Sequence, residues 1–220
     1  MREITTDYYS SLFDEKKTNS RVSLKLLRNI KKQITPQQKA TLDKTVTNEE
    51  LEKAVYRLQK HKTPGPDGIP AEFYQEYWDL LSDLYLQFIN AVKETAFPKG
   101  KNTSITTLFY KEKGEIYLLA NYRPIALMNV DVKIITKLLS MRLNDVLPSI
   151  IHESQTAVMG RQIGNSVHLV RDIIDYANKN DEGAALLFID QEKAFDRVSH
   201  AFLFEALRAY GFGDNFVHWI

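Results

Sequence analysis

Residues 184–198 read Ala-Ala-Leu-Leu-Phe-Ile-Asp-Gln-Glu-Lys-Ala-Phe-Asp-Arg-Val, and this stretch indicates both the fold and the chemistry. Its first six residues form a continuous apolar run after a turn-like Asn-Asp-Glu-Gly, which is typical of a strand buried on both faces. Asp190 comes where that strand ends. A carboxylate there costs free energy unless its charge is compensated, and a bound cation would compensate it. The alternative is an Asp that ends the strand and caps the next turn.

The composition predicts an ordinary globular chain of one domain or two small ones, with 44% hydrophobic and 26% charged residues. No run of eighteen apolar residues occurs and the N-terminus lacks an apolar stretch, so we expect an intracellular chain without signal peptide or membrane span. With no cysteine and five scattered histidines, disulfides and thiolate metal sites are excluded. Any metal ion must therefore bind oxygen ligands.

Charge is strongly partitioned, although the net charge is only +1. Two segments are basic: residues 1–62 hold 14 basic and 8 acidic side chains, and residues 93–142 hold 9 basic and 4 acidic ones. The other two are acidic: residues 63–92 hold no basic and 5 acidic side chains, and residues 143–220 hold 6 basic and 11 acidic ones. Basic segments can contact phosphates and acidic segments can concentrate divalent cations. The alternative is that these segments are solvated helix faces.

Local signals predict the elements before residue 100. Residues 1–46 are expected to form loosely attached helices. Thr47 and Glu50 form a capping box that begins a helix, and this helix ends before the Pro-Gly-Pro-Asp-Gly turn at 64–68. A second helix is expected over 71–90, with a core-facing side made of Phe73, Tyr77, Leu80, Leu81, Leu84, Phe88 and Ile89.

Later segments predict a hairpin and three more helices. The hairpin pairs 104–110 with 121–127, because its arms are rich in β-branched and aromatic residues. Helices are expected over 131–146, where Pro148 ends the helix, and over 165–178. Ser199 caps a last helix, which Gly211 closes in a left-handed conformation.

The string 188–198 resembles the first catalytic motif of reverse transcriptases from LINE-type (non-LTR) retrotransposons, in which an Asp is followed after four residues by an aromatic residue and a second Asp. The resemblance implies that Asp190 is the catalytic residue and binds the metal ions. It also implies that Phe195 lies under the sugar of the incoming nucleotide. Asp196 completes the pattern, either as a metal ligand or as a structural cap.

Three further segments resemble the same family in the same order. Residues 62–74 match its Pro-Gly-Pro-Asp-Gly signature, in which we take the glycines as geometric and Lys62 as a candidate phosphate contact. Residues 108–111 and 121–125 match its fingers hairpin, which implies that Lys111 and Arg123 contact the dNTP triphosphate. Residues 155–165 match a segment that helps to hold template and nucleotide, which implies that role for Gln155, Gly160, Arg161 and Asn165. The alternative for Lys111 and Arg123 is that they lie on a solvated hairpin. The alternative for residues 155–165 is a structural loop with a helix cap.

The resemblance implies an α+β fold that holds the fingers and the start of the palm of a right-hand polymerase. We predict an N-terminal helical extension over 1–46, fingers and upstream segment over 47–180, and the start of the palm over 181–220. The expected partners are an RNA template, a DNA primer and dNTPs, with two Mg²⁺ ions only in a complete enzyme. The family's second metal motif, Tyr/Phe-Ala-Asp-Asp, is absent from the 220 residues. The chain alone is thus expected to be inactive.

Two other functions stay open at this point. The chain could be a catalytically inactive remnant that at most binds RNA or DNA. It could also be a helical interaction protein with no nucleic-acid role, which would not bind RNA even at low salt.

Overall fold

The chain is helix-rich, with one small sheet. The computed structural model describes residues 2–14, 19–95, 98, 103–181 and 183–220, which form ten α-helices and a two-stranded sheet. The helices are α1 (Arg2–Phe13), α2 (Ser20–Leu27), α3 (Pro36–Leu42), α4 (Asn48–Tyr56), α5 (Ala71–Glu76), α6 (Trp78–Thr95), α7 (Val130–Ile150), α8 (Ile163–Lys179), α9 (His200–Ala209) and α10 (Asp214–Trp219). The strands are β1 (Ser104–Tyr110) and β2 (Tyr122–Met128). No described helix is both long and apolar enough to span a membrane.

The chain divides into two compact units, whose limits differ from the functional segments predicted above. The first comprises residues 1–8, 40–143 and 218–220, and the second comprises 9–39 and 144–217. The largest fully buried side chains of the first unit are Leu51, Val55, Ile89, Ile134 and Leu138. Buried side chains of the second unit include Ile34, Val146, Val158, Phe212 and Phe216.

The start of α4 is fixed by the predicted capping box. The Thr47 hydroxyl accepts a hydrogen bond from the Glu50 N–H at 3.3 Å, and the Glu50 carboxylate accepts one from the Thr47 N–H at 3.2 Å. The same carboxylate receives the Arg142 guanidinium at 2.7 and 3.0 Å. Arg142 Nη1 also donates to the carbonyls of Leu42 and Lys44, both at 2.8 Å. One cation therefore ties α7 to the start of α4 and to the loop before it.

The Pro-Gly-Pro-Asp-Gly turn packs against the junction of β2 and α7. A Cβ on Gly65 would lie 2.3 Å from the backbone N and the Oδ1 of Asn129, so no other residue fits without a shift. Asn129 is buried, and its Oδ1 accepts a hydrogen bond from the Asp67 N–H at 3.3 Å. Gly68 has φ +73°, a conformation that glycine adopts without strain. The two glycines thus serve close approach and turn geometry respectively.

The predicted single helix over 71–90 is wrong in its continuity and largely in its buried face. The chain breaks at Tyr77 between α5 and α6. The buried side chains are Ala71, Gln75, Trp78, Tyr85 and Ile89, whereas the expected core residues Phe73, Tyr77, Leu80 and Leu84 are exposed. Gln75 is accommodated in the core because its Nε2 donates to the carbonyls of Val55 at 3.0 Å and Leu58 at 3.1 Å. Periodicity alone does not carry that information.

The predicted hairpin is confirmed. Strand β1 pairs with β2 in antiparallel register, with Phe109 opposite Arg123 and Tyr110 opposite Tyr122. Beyond the strands, the Lys111 N–H donates to the Asn121 carbonyl at 2.8 Å. The Tyr110 hydroxyl donates to the Gly114 carbonyl, which closes the connection between the arms.

Helix α7 continues past the residue predicted to end it, because Pro148 lies inside the helix near its C-terminus. Proline lacks an N–H and so removes one helical hydrogen bond, which is tolerated where the helix is about to end. The Ile151 N–H still donates to the Leu147 carbonyl at 2.9 Å. The helix predicted over 165–178 is confirmed as α8.

The predicted buried strand over 184–189 is wrong. These residues have no strand pairing, and Leu187, Phe188 and Ile189 are 81–85% exposed. A strand needs a neighbour for its backbone hydrogen bonds, and within the described chain β1 and β2 pair only with each other. The cap that follows is confirmed, since the Ser199 hydroxyl accepts from the Phe202 N–H at 3.3 Å and Gly211 has φ +90°.

We predict that Gly65→Ala lowers the free energy of unfolding by about 1–3 kcal/mol, because the added Cβ meets backbone that must shift. Gly164→Ala is the matched control, since Gly164 lies in α8 with open space around its Cα. Chemical denaturation of both variants measures the difference. Equal stability of the two variants would contradict the close packing of the turn.

We predict that the stability difference between wild type and Glu50→Gln narrows as the pH falls. Burial alone raises the pKa of Glu50, but the hydrogen bond and charge of Arg142 outweigh burial and hold the pKa below 4.5. The carboxylate therefore stabilises the fold fully above pH 4.5, and this contribution is lost as the pH falls through the lowered pKa. Chemical denaturation of wild type and Glu50→Gln from pH 7 to pH 3 measures this contribution. A stability difference that stays constant over this pH range would refute the role of the ion pair.

Candidate functional site

The hairpin presents one open face that carries both predicted dNTP contacts. The register places Phe109, Lys111 and Arg123 on the same face, because residues directly opposite in an antiparallel pair share a face. Lys111 and Arg123 are diagonal neighbours, a spacing of about 7–8 Å between strand positions. Phe109 is 54% exposed, and Ile125 on this face is also exposed. The face therefore combines two cations with an uncovered aromatic ring.

The two cations of this face are held differently. Lys111 Nζ donates to the Ala120 carbonyl at 2.9 Å, so its ammonium group is partly engaged by the hairpin itself. Arg123 is exposed, and within the described parts of the chain its guanidinium has no hydrogen-bond or ion-pair partner. The planar guanidinium suits bidentate binding of phosphate oxygens. Arg123 is thus the more available of the two donors.

The motif residues Asp190, Phe195 and Asp196 lie in an open segment of the second unit. All three are exposed, and Phe195 is 97% exposed. Residues 192–197 form turns, in which Arg197 pairs with Glu192 at 3.2 Å. Asp190 accepts no hydrogen bond from any other described residue, so its carboxylate is open to a ligand. The metal-binding and nucleotide-binding roles expected for these three residues stay predictions.

The segment 155–165 is organised around Arg161. The Arg161 guanidinium donates to the carbonyls of Ile151 at 3.0 Å, His152 at 2.5 Å and Gln155 at 2.9 Å. Gly160, in the turn before Arg161, has φ +84°, a left-handed conformation that glycine adopts without strain. Asn165 is exposed in the first turn of α8, and Gln162 rather than Asn165 occupies the N-cap. Arg161 therefore satisfies carbonyls at and beyond the end of α7, a role that sequence matching did not reveal.

A metal site is incomplete within the described residues. No three His, Asp or Glu side chains in the described ranges come close enough to share an ion. Two-metal phosphoryl transfer needs a cluster of carboxylates around both ions. The described residues therefore do not fit a two-metal centre by themselves.

Comparison with known proteins gives a consistent assignment. Residues 110–220 match the family described as reverse transcriptase (RNA-dependent DNA polymerase). A transposon TX1 uncharacterized 149 kDa protein of Xenopus laevis is 38% identical over 85% of this chain and 14% of its own length. A probable RNA-directed DNA polymerase from transposon BS of Drosophila melanogaster is 29% identical over 76% of this chain and 19% of its own. The RNA-directed DNA polymerase from mobile element jockey of Drosophila funebris gives the same three values.

The chain spans less than a fifth of the length of these curated relatives. The resemblance to LINE-type reverse transcriptases that the motifs indicated is confirmed by the family match and by these relatives.

We predict that Arg161→Met lowers the free energy of unfolding by about 2 kcal/mol, since it leaves several carbonyls without their donor. Arg123→Met is the control and should change it by less than about 0.5 kcal/mol, because Arg123 is exposed. Urea denaturation measures both variants. Equal stability of the two would show that the Arg161 contacts do not hold this segment.

Proposed function

Because this chain belongs to the reverse transcriptase family, we propose that it supplies the nucleotide-binding fingers and the first catalytic carboxylate of an RNA-directed DNA polymerase. Residues 47–180 are the fingers with their upstream segment, and 181–220 begin the palm of a right-hand polymerase fold. Residues 1–46 are an N-terminal helical extension. The family match over 110–220 carries the proposal, because it includes β2, the 155–165 segment and Asp190.

The hairpin is the part that binds the triphosphate. Arg123 takes its phosphate oxygens with the free guanidinium, and Lys111 adds a second positive charge from the same face. Gln155, Gly160 and Asn165 lie on the template side. Arg161 acts there as a positioning residue that shapes the segment through backbone carbonyls.

The reverse transcriptase family uses divalent metal ions, and Mg²⁺ is the ion we propose here. Of the residues present, Asp190 is the one that would hold it, with Asp196 as a weaker candidate. When bound, such ions would neutralise charge on the transferring phosphate. Phe195 lies beside the sugar of the incoming nucleotide, with an RNA template and a DNA primer as the nucleic-acid partners.

We predict that Arg123→Ala weakens dNTP binding to the 220-residue protein about tenfold, the loss expected for one charge-assisted contact of about 1.5 kcal/mol. Lys111→Ala has a smaller effect, because Lys111 Nζ already binds a carbonyl. Lys113→Ala is the control, as it removes an equal charge from the connection between β1 and β2. Fluorescence titration with a labelled dNTP and Mg²⁺ measures all three. Equal losses for Arg123→Ala and Lys113→Ala would contradict a specific triphosphate contact.

We predict that the 220-residue protein alone incorporates no nucleotide, because the described residues place no carboxylate cluster around Asp190 of the kind that two-metal catalysis requires. The measurement is incorporation of labelled dNTP on an RNA template with a DNA primer. Incorporation that Asp190→Ala abolishes would overturn this expectation.

A further inference from the structure

The first unit contains a second basic feature, a cavity of about 320 Å³ between the end of α4, the loop before the Pro-Gly-Pro-Asp-Gly turn and the start of α7. This volume lies at the lower end of the range of about 300–1000 Å³ that small-ligand sites occupy. Four cations line the cavity: Arg57, Lys62, Lys133 and Lys137. Apart from Lys62, which the sequence marks as a candidate phosphate contact, none of them is assigned a binding role above.

The cations come from three separate parts of the first unit and converge on one space. Arg57 is the C-cap residue of α4, and Lys62 precedes the turn. Lys133 and Lys137 lie one turn apart on α7, so their side chains project from the same face of that helix. Both are half-buried, and the buried residues Val130 and Ala71 form an apolar wall beside them. Side chains that merely solvate a helix face would extend into water instead.

Among the described residues, no acidic group lines this cavity. None of the four cations forms an ion pair with a described Asp or Glu. Asp131 lies in the first turn of α7, but it is buried and does not line the cavity. Four like charges around one partly desolvated space repel one another. An anionic ligand would remove that repulsion.

The chemistry of the four cations favours a phosphate group as the ligand. The tetrahedral, multiply charged phosphate group matches a set of lysine and arginine donors that converge from several directions. A single carboxylate would leave most of these charges unneutralised.

We propose that this cavity is a phosphate-binding site that takes two adjacent phosphate groups. These are supplied either by the backbone of a nucleic-acid strand or by a free polyphosphate. The proposal does not depend on the assignment of the hairpin or of Asp190, since it rests on a different cavity and different residues.

The test uses the whole 220-residue protein and two probes, inorganic tripolyphosphate and a fluorescein-labelled single-stranded RNA 12-mer. Lys133→Gln/Lys137→Gln removes the two half-buried charges and keeps most of the side-chain volume. Lys53→Gln/Lys60→Gln removes two exposed charges of the same unit that do not line the cavity, and serves as the control. Arg57→Gln/Lys62→Gln is a second cavity variant on exposed residues, which protects the test if the α7 variant folds poorly.

Each cavity variant is expected to weaken binding of at least one probe about tenfold, and the control less than about twofold, at low salt. Loss for RNA alone identifies a nucleic-acid backbone as the source of the phosphates, and the slope of log K against log salt then falls in magnitude by about 1.4, the value for two contacts to a single strand. Loss for tripolyphosphate alone identifies a free polyphosphate. The proposal is overturned if no folded cavity variant loses affinity for either probe, or if the control loses as much as the cavity variants do.

Discussion

The packing of Gly65 against Asn129 is the constraint on which the first unit depends. The Gly65 Cα approaches the Asn129 backbone so closely that a Cβ has no room, and the Asn129 side chain in turn binds the Asp67 N–H. These contacts hold the turn at the point where β2 passes into α7. The turn at 64–68, which follows α4 in the chain, thereby packs where β2 of the hairpin passes into α7. Both basic features of this unit, the hairpin face and the cavity, lie on elements next to this turn.

Elements that local chemistry decides could be predicted from the sequence. The Thr47 and Glu50 capping box, the Ser199 cap and the left-handed Gly211 each involve a side chain or backbone conformation within three residues of the helix end. The hairpin was predictable for the same reason, since its turn and its β-branched arms are contiguous. These signals act over distances that a linear reading of the sequence can follow.

Features that need a distant partner could not be predicted. The run 184–189 has the composition of a buried strand, but no described strand pairs with it. Gln75 of α5 is buried because it binds carbonyls some twenty residues earlier in the chain, and apolar periodicity does not reveal such contacts. The resemblance marked Lys62 as a candidate phosphate contact, but the convergence of the four cavity cations could not be predicted, because Arg57 and Lys137 are eighty positions apart.

The candidate site residues also show what the sequence can and cannot predict. Family resemblance identified Lys111, Arg123, Asp190 and Arg161 as positions of interest, but it could not tell which of these side chains bind other parts of the protein. The structure shows Arg161 engaged with backbone carbonyls, Lys111 partly engaged and Arg123 open. A motif thus indicates where chemistry belongs, and the local contacts indicate which donors are available for it.

We propose that the β1–β2 hairpin receives the incoming nucleotide. Photo-cross-linking of the 220-residue protein with an azido-dNTP, followed by peptide mapping with mass spectrometry, is the first measurement to make. We expect the modified peptides to fall within residues 104–128 and unlabelled dNTP to suppress them. Cross-links that spread over the basic surface, or that unlabelled dNTP does not suppress, would contradict it.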